Sequence, residues 1–527
     1  MAERAPENIR ELLEAQVERS PDKEFLFLER DGRVLNYRHF DNEVNRAANL
    51  LLDLGTAKGD RVSLLLTNRA EYLIFYFACF KIGAWAGPVN ALLKPQEIEY
   101  VIANSEAGTV VTQPDLLRHL DEARKHVASL RAVIVIEDSG QWPVVKELEG
   151  SGFLVQGSGL NPEPRTRNSE PVYPPLTTTD EAVIIYTSGT TGKPKGVILT
   201  HGNLLSNAQQ IAEWLRLTSD DRSLMIMPLF HVNALMTTAM AALWVGGSIV
   251  LAPRFTASGH WETISRLGVT YFGSVATMLS MLNHTYHEGL PAEVDTSRLR
   301  FALCGSAPVP VEVLKTFESL FDCPVIEGYG LSESTCRSTF NPIDERRRVG
   351  SVGLPIGNDV RVFDDNDREL ETRKVGEIVL RGPNIMKGYY NNEAATREAF
   401  RSGWFHTGDL GYQDEGGFFY VVDRKGDMII RGGENIYPRE VDEVLYQHPQ
   451  VKDAATVGLP DQLYGEEVKS FIVLREGEQA TELEIIQFCR ERLADFKCPK
   501  FIEFVVDIPK GPTGKLLKRE LTTKREA

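Results

Sequence analysis

An α/β protein of more than one domain is predicted by three features of this chain. Short apolar runs recur with amphipathic stretches between them, the pattern of buried strands covered by helices. The 527 residues exceed what one hydrophobic core serves. A Gly-rich, aromatic stretch ends near Asp423-Arg424-Lys425-Gly426-Asp427, leaving about a hundred residues, enough for a small α+β domain.

Taken in order, Ile9, Leu12, Leu13 and Val17 recur at helical spacing and predict an amphipathic N-terminal helix. The runs Val62 to Leu66, Val110-Val111, Ala132 to Ile136, Ala182 to Ile185, Ile249 to Leu251, Phe301 to Leu303 and Val325-Ile326 predict buried strands. Ser139 to Thr179, rich in Gly, Pro, Ser and Thr, predicts a long irregular connection, and helical spacing resumes from Leu204. The longest apolar run, Tyr72 to Phe80, is too short to span a bilayer.

Composition narrows the partners. With 58 Lys+Arg against 74 Asp+Glu the net charge is -16, so the overall field opposes nucleic acid and anionic membrane surfaces. Six cysteines without a Cys-x-x-Cys pair predict buried thiols in a reducing compartment. The N-terminus has no apolar signal core, and the final Arg-Glu-Ala carries no peroxisomal or prenylation address. The expectation is a cytoplasmic protein with no nucleic-acid partner and no integral membrane association.

The string YTSGTTGKPKG, Tyr186 to Gly196, follows a predicted strand. Gly189, Gly192 and Gly196 let backbone N–H groups turn toward one anion, while Thr187, Ser188, Thr190, Thr191, Lys193 and Lys195 add side-chain donors and charge. That is phosphate chemistry, although the glycine spacing is not that of a P-loop. Further on, EGYGLSE places Tyr329 between Gly328 and Gly330, offering an uncovered aromatic face, and Glu333 offers oxygen to a hard cation. WFHTGD ends in Asp409, a carboxylate able to accept two hydroxyls. PKGPTGK carries Lys515 on a rigid-sided loop. MPLFHVN sets His231 among apolar neighbours, and IRGGENIYPRE has Gly432 and Gly433, which permit close backbone approach.

Together and in this order, these motifs resemble the AMP-forming, acyl-adenylating superfamily over nearly the whole chain: acyl-CoA synthetases, aryl-CoA ligases, luciferases and peptide-synthetase adenylation domains. The resemblance implies ATP, Mg²⁺ and coenzyme A, and a small-molecule carboxylic acid as substrate. It implies a large multi-layer N-terminal domain, residues 1–425, and a small mobile C-terminal domain, 426–527, turning about Gly426. It implies that Tyr329 stacks on adenine beside the turn Gly305-Ser306-Ala307, that Ser332 meets the α-phosphate and that Glu333 holds magnesium. Asp409 and Arg424 would reach the ribose, Lys515 would be catalytic for adenylation, and the Gly432-Gly433 turn would lie beside the pantetheine channel. His231 would line the acyl pocket. Acetate-specific members block the tunnel with tryptophan directly after the stacking aromatic, where this chain has Gly330, implying room for a longer acid. The candidate wall of Val232, Ala234, Val275, Ala276, Met278 and Leu279 is apolar and brings no evident fixed charge. A medium- or long-chain fatty acid is therefore the expected substrate, with crotonobetaine/carnitine or an aryl acid as alternatives. A stand-alone adenylation enzyme loading a carrier protein, and a luciferase-like oxidase, are the rival classes; a homodimer is left open.

Overall fold

A computed structural model describes residues 5–137, 144–146, 173–187, 194–305, 309–432, 434–510, 517 and 521. The larger part contains two sheets. One has eight strands, in the order Gly388–Tyr389, Lys195–Thr200, Glu181–Thr187, Trp85–Pro88, Arg61–Leu64, Thr109–Thr112, Ala132–Val135 and Val144–Lys146. The other has nine, and its strands Val325–Tyr329, Phe301–Cys304, Tyr271–Ser274, Arg222–Met225, Ser248–Leu251 and Glu24–Leu28 run parallel in that order. Parallel strands covered on both faces read as continuous apolar runs, which is why Ser248–Leu251, Phe301–Cys304 and Val325–Tyr329 were legible in the sequence, whereas Glu24–Leu28, Arg222–Met225 and Tyr271–Ser274 were not singled out.

Helix Ala70–Ile82 holds these sheets together. It is apolar on all sides, and every residue in it except Glu71 is buried. The hydroxyl of Tyr72 donates to the Leu64 carbonyl at 3.1 Å and that of Tyr76 to the Leu229 carbonyl at 3.1 Å, one partner from each sheet's side. Lys81 at its end is buried with Asp41, 2.6 Å away, so its charge is compensated. This is the apolar run of nine residues in the sequence, and it serves a layered core; among the described residues no helix is long and apolar enough to cross a membrane. The N-terminal helix, Ile9–Arg19, buries Ile9, Leu12 and Leu13 as its spacing requires.

A third, antiparallel sheet contains Asp359–Phe363, Gly376–Arg381, Trp404–Gln413, Phe400–Arg401 and Phe419–Arg424. Beyond it, Ile429–Arg431, Glu434–Ile436, Val451–Asp461, Gly465–Leu474 and Phe501–Phe504 form a separate five-stranded sheet. Ile429, Ile436, Val441, Ile472 and Ile485 build a core there that shares no residue with the main one. A large N-terminal and a smaller C-terminal domain result. All six cysteines are buried.

One element differs from the sequence reading. The glycine-rich string was expected to run from a strand toward the helix beginning near Leu204. Lys195–Thr200 instead pairs antiparallel with Glu181–Thr187, and the helix His201–Trp214 starts only after it, capped by the Thr200 hydroxyl. The run KGVILT alternates too little to show as a strand beside the glycines; both its faces are largely covered.

Candidate active site

Strand Val325–Tyr329 ends at the carboxyl edge of the parallel sheet, where ligands of open α/β sheets gather. Tyr329 sits at that edge, half-buried, and its hydroxyl donates to Asp409 Oδ2 at 2.7 Å. Asp409 is 4% exposed and faces Arg424 across the antiparallel pair Trp404–Gln413 and Phe419–Arg424. Arg424 Nε donates to Asp409 Oδ1 at 3.0 Å. Burial works against the guanidinium's charge, but Asp409 and the other anions around it outweigh burial, so its pKa stands above the ordinary value. An aromatic ring is thus pinned at its hydroxyl, with the carboxylate and guanidinium beside it, by residues eighty positions apart in the chain.

Glu333 follows in the turn Ser332–Ser334. Its Oε1 accepts from the Tyr389 hydroxyl at 3.0 Å, and burial raises its pKa. Tyr389 belongs to Gly388–Tyr389, which pairs with the strand leaving the glycine-rich string. Lys195 begins that strand opposite Thr187 and holds its ammonium 5.1 Å from the Tyr389 ring centroid, a cation–π distance. Thr187, Lys195, Tyr389 and Glu333 therefore occupy one neighbourhood, which the sequence spacing alone did not show. Tyr389 was missed because nothing in GYY marks one tyrosine as a contact of a carboxylate fifty-six residues away.

The Tyr329–Asp409–Arg424 group borders a cavity of about 480 Å³, within the range of small-molecule sites, and Leu331, next to Ser332 and Glu333, lines it too. Tyr329, Asp409 and Arg424 line it from the larger domain, and Glu443, Tyr446 and Lys510 line it from the smaller one. Arg439, in the first helix of the C-terminal domain, donates its backbone N–H to Asp423 Oδ2 at 3.0 Å and its guanidinium to the Val421 carbonyl at 2.5 Å. Gly426 lies between these contacts with no atom within 4 Å of where a side chain would begin. Gly432, at φ +60°, is exposed and does not line the cavity. Ser188, Gly189, Thr190, Thr191, Gly192, Lys193, Ser306, Ala307, Gly433 and Lys515 lie outside the described residues.

The acyl side departs from expectation. Of the expected wall, Ala276 lines the cavity, joined by Thr277, Ser280 and Met281, whereas Val232 and Val275 are buried at 8% and 4% exposure and do not line it. Ala234, Met278 and Leu279 are also packed into the core. His231 is half-buried and packs on Phe230, with ring centroids 4.2 Å apart, and desolvation lowers its pKa to about 4, so it is neutral at physiological pH. Gly330 lines the cavity, yet it opens no tunnel in the direction of a side chain. A Cβ there would lie 1.9 Å from the Cys336 carbonyl oxygen, so the glycine is required by a backbone crossing.

A buried charge also lies behind the wall, against the lining residue Gly305. Arg337, next after Cys336, is 2% exposed, donates Nη1 to the Gly328 carbonyl at 3.3 Å and Nη2 to Asn233 Oδ1 at 3.2 Å. Asn233 stands two residues after His231, at the entry to the π-helical turn Ala234–Met240, a geometry often found at functional sites. Sequence reading passed over Arg337 because an arginine between Cys336 and Ser338 carries no local sign of burial.

An α/β protein with a tyrosine, carboxylate and arginine converging on a cleft between a large and a small domain has the form of an adenylate-forming enzyme. The AMP-binding enzyme family matches residues 13–390, and the AMP-binding enzyme C-terminal domain matches residues 440–515. The chain is 35% identical to a sulfoacetate–CoA ligase of Cupriavidus necator, over 95% of this chain and 94% of that one. It is 34% identical to a long-chain-fatty-acid–CoA ligase of Bacillus subtilis, over 97% and 94%. Its fold superimposes on ATP-bound MatB from Rhodopseudomonas palustris with a TM-score of 0.85 and 28% identity, over 98% of each chain. The chain belongs to the AMP-binding enzyme family, and it is an acid–thiol ligase of the AMP-forming kind.

Proposed function

We propose that this ligase adenylates a carboxylic acid with ATP in the cleft around Tyr329 and passes the acyl group to coenzyme A. The observation that carries the reading is the Tyr329–Asp409–Arg424 group beside Glu333. In the first half-reaction an oxygen of the acid forms a bond to the α-phosphorus, and the bond from that phosphorus to pyrophosphate breaks. In the second, the thiol of coenzyme A attacks the activated carbonyl and AMP leaves with the bonding pair.

Tyr329 offers its ring to adenine. Asp409 spends part of its acceptor capacity on Tyr329 and Arg424, and a carboxylate retains lone pairs for both ribose hydroxyls. Ser332 and the donors of residues 187–195 orient the phosphates, with Lys195 held near the carboxylate by Tyr389. Among the described residues no group of three or more His, Cys, Asp or Glu could hold a metal by itself. A single half-buried carboxylate suits Mg²⁺, which takes one or two protein carboxylates and completes its shell with phosphate oxygens and water. Glu333 would hold it, and the ion would neutralise charge on the phosphates. Lys515, delivered by the smaller domain, would meet the charge developing at phosphorus. His231, neutral at physiological pH, shapes the acyl side.

We place the domain boundary between residues 425 and 426, with Gly426 as a pivot that exchanges Lys515 for the Gly432-Gly433 turn between half-reactions. The open space around Gly426 supports this. A cytoplasmic location fits six buried thiols. For the acid, Ala276 and Met281 support an aliphatic chain of the fatty-acid kind, whereas Arg337 supports a charged acid.

Pyrophosphate release across carboxylic acids, with and without coenzyme A and with Lys515→Ala as control, tests the reading. Release that requires an acid, yields an acyl thioester with coenzyme A and is lost in Lys515→Ala is expected. Acid-dependent adenylate that never passes to coenzyme A would overturn the acceptor, and no acid-dependent release would overturn the ligase reading itself.

A further inference from the structure

Resting on the ligase reading, we infer that Arg337 selects the acid: the substrate is a short carboxylic acid bearing a second fixed negative charge, a dicarboxylate or a sulfonocarboxylate. The guanidinium is 2% exposed, and among the described residues no carboxylate oxygen lies within 4.0 Å of it. Arginine cannot shed its proton to escape this, and an uncompensated buried cation is among the costliest features a fold can carry. Other buried cations of this chain are compensated: Lys81 by Asp41 and Lys469 by Glu503, with Nζ to carboxylate distances of 2.6 and 2.5 Å. Among the described residues, Arg337 has only the neutral oxygens of Gly328 and Asn233, and the Phe340 ring 5.2 Å away. Its Nε–H has no acceptor among the described residues.

The cation is also placed beside the reaction cleft. A Cβ on Gly305 would meet Arg337 Nη1 at 2.6 Å and Nη2 at 2.7 Å, so the guanidinium lies directly against the Gly305 backbone. Gly305, Gly328 and Gly330 line the cavity that Tyr329 and Asp409 share. Asn233 brings the turn that carries His231 to the same guanidinium. A planar fork with spare donors, buried directly behind the cavity-lining Gly305 and with no anion beside it among the described residues, is the complement of a second carboxylate or a sulfonate. A neutral alkyl chain would leave the charge uncompensated in every bound state.

The test compares acetate, butyrate, hexanoate and palmitate with oxalate, malonate, succinate and sulfoacetate, by kcat/KM for acid-dependent pyrophosphate release. The wild-type protein is expected to prefer a dianion over the monoanion of similar length by on the order of 100-fold, the scale set by a buried charge pair. Malonate and sulfoacetate, which differ in the second group, tell carboxylate from sulfonate. Arg337→Met is expected to lose most of that preference through the dianion while keeping or gaining on the monoanion, and Arg337→Lys to retain an intermediate preference. A wild-type preference for monoanions, or a preference unchanged in Arg337→Met, overturns the inference and leaves the ligase reading standing. If Arg337→Met does not fold, the wild-type preference still decides. No release with any acid overturns the ligase reading, and this inference with it.

Discussion

Asp409→Asn is the most direct perturbation of the nucleotide site. The carboxylate accepts from Tyr329 at 2.7 Å and from Arg424 at 3.0 Å, and it is 4% exposed, so neither contact is diluted by water. Replacing one oxygen with NH₂ turns one contact into donor against donor and removes the charge from the other. A hydrogen bond to a charged group contributes about 1.5–3 kcal/mol, so losing one and weakening a second amounts to about 2–4 kcal/mol. Expressed as kcat/KM for ATP, that is a fall of roughly 30- to 700-fold. The assay is acid-dependent exchange of labelled pyrophosphate into ATP over a range of ATP concentrations, with thermal unfolding measured in parallel. Most of the loss is expected in KM for ATP. A variant that unfolds like wild type and stays within about threefold of its kcat/KM would refute the placement of the ribose at Asp409.

Three further outcomes are expected. Gly426→Pro, at a position where an added Cβ meets no atom within 4 Å, should spare adenylate formation or thioester formation and slow the other at least roughly tenfold, measured as separate half-reactions; equal loss in both would sink the pivot. Gly330→Ala should act on stability before specificity, because its methyl would meet the Cys336 carbonyl at 1.9 Å; a cost above about 3 kcal/mol in urea unfolding is expected, and a stable variant with altered acid preference would contradict the crossing. His201, His231 and His260 are held neutral by burial, with pKa values lowered to about 4, 4 and 3. The unfolded chain binds protons on these groups below its ordinary histidine value, so their stabilisation is complete above pH 6.5 and lost as pH falls through the folded values, by about 3 kcal/mol for His201 and His231 near pH 4 and by about 4–5 kcal/mol for His260 near pH 3. Glu327, raised by burial to about 7, works in the opposite sense between pH 4.5 and 7, so the readout is the difference in the pH slope of stability between wild type and His260→Phe. Identical slopes would refute the assignment.

Much of the nucleotide side was legible because it is written in local strings. A tyrosine between glycines at a strand end, or a carboxylate after a Gly turn, needs its own neighbours to be recognised, and Tyr329 and Asp409 do meet. Parallel strands such as Phe301–Cys304 were legible for the same reason, being continuous apolar runs, while Arg222–Met225 and Tyr271–Ser274, broken by polar or small residues, were not. The acyl side was illegible because it is assembled from residues whose roles depend on distant contacts. Val275 and Ala276 both read as pocket residues, yet only Ala276 lines the cavity, beside Thr277, which was not singled out. Gly330 reads as an absence of bulk, and the crossing backbone that fills the space comes six residues later. Arg337 reads as a surface charge, and its burial follows from the approach of Asn233 and Gly305, which no spacing rule connects to it. The strand Lys195–Thr200 was obscured by the glycines and lysines preceding it.

The pairing of Asp409 with Arg424 across one ladder, two residues before Gly426, has a mechanical side. The strand that would grip the ribose is also the mounting from which the smaller domain leaves. A bearing seated on its own cargo runs true only when loaded: nucleotide in the cleft would tighten the seat, and an empty cleft would leave it slack. Acyl-adenylate keeps the ribose while surrendering pyrophosphate, so it would hold the axle firm at the moment the phosphate end lets go. Turning would then be most orderly in the one chemical state in which it is useful.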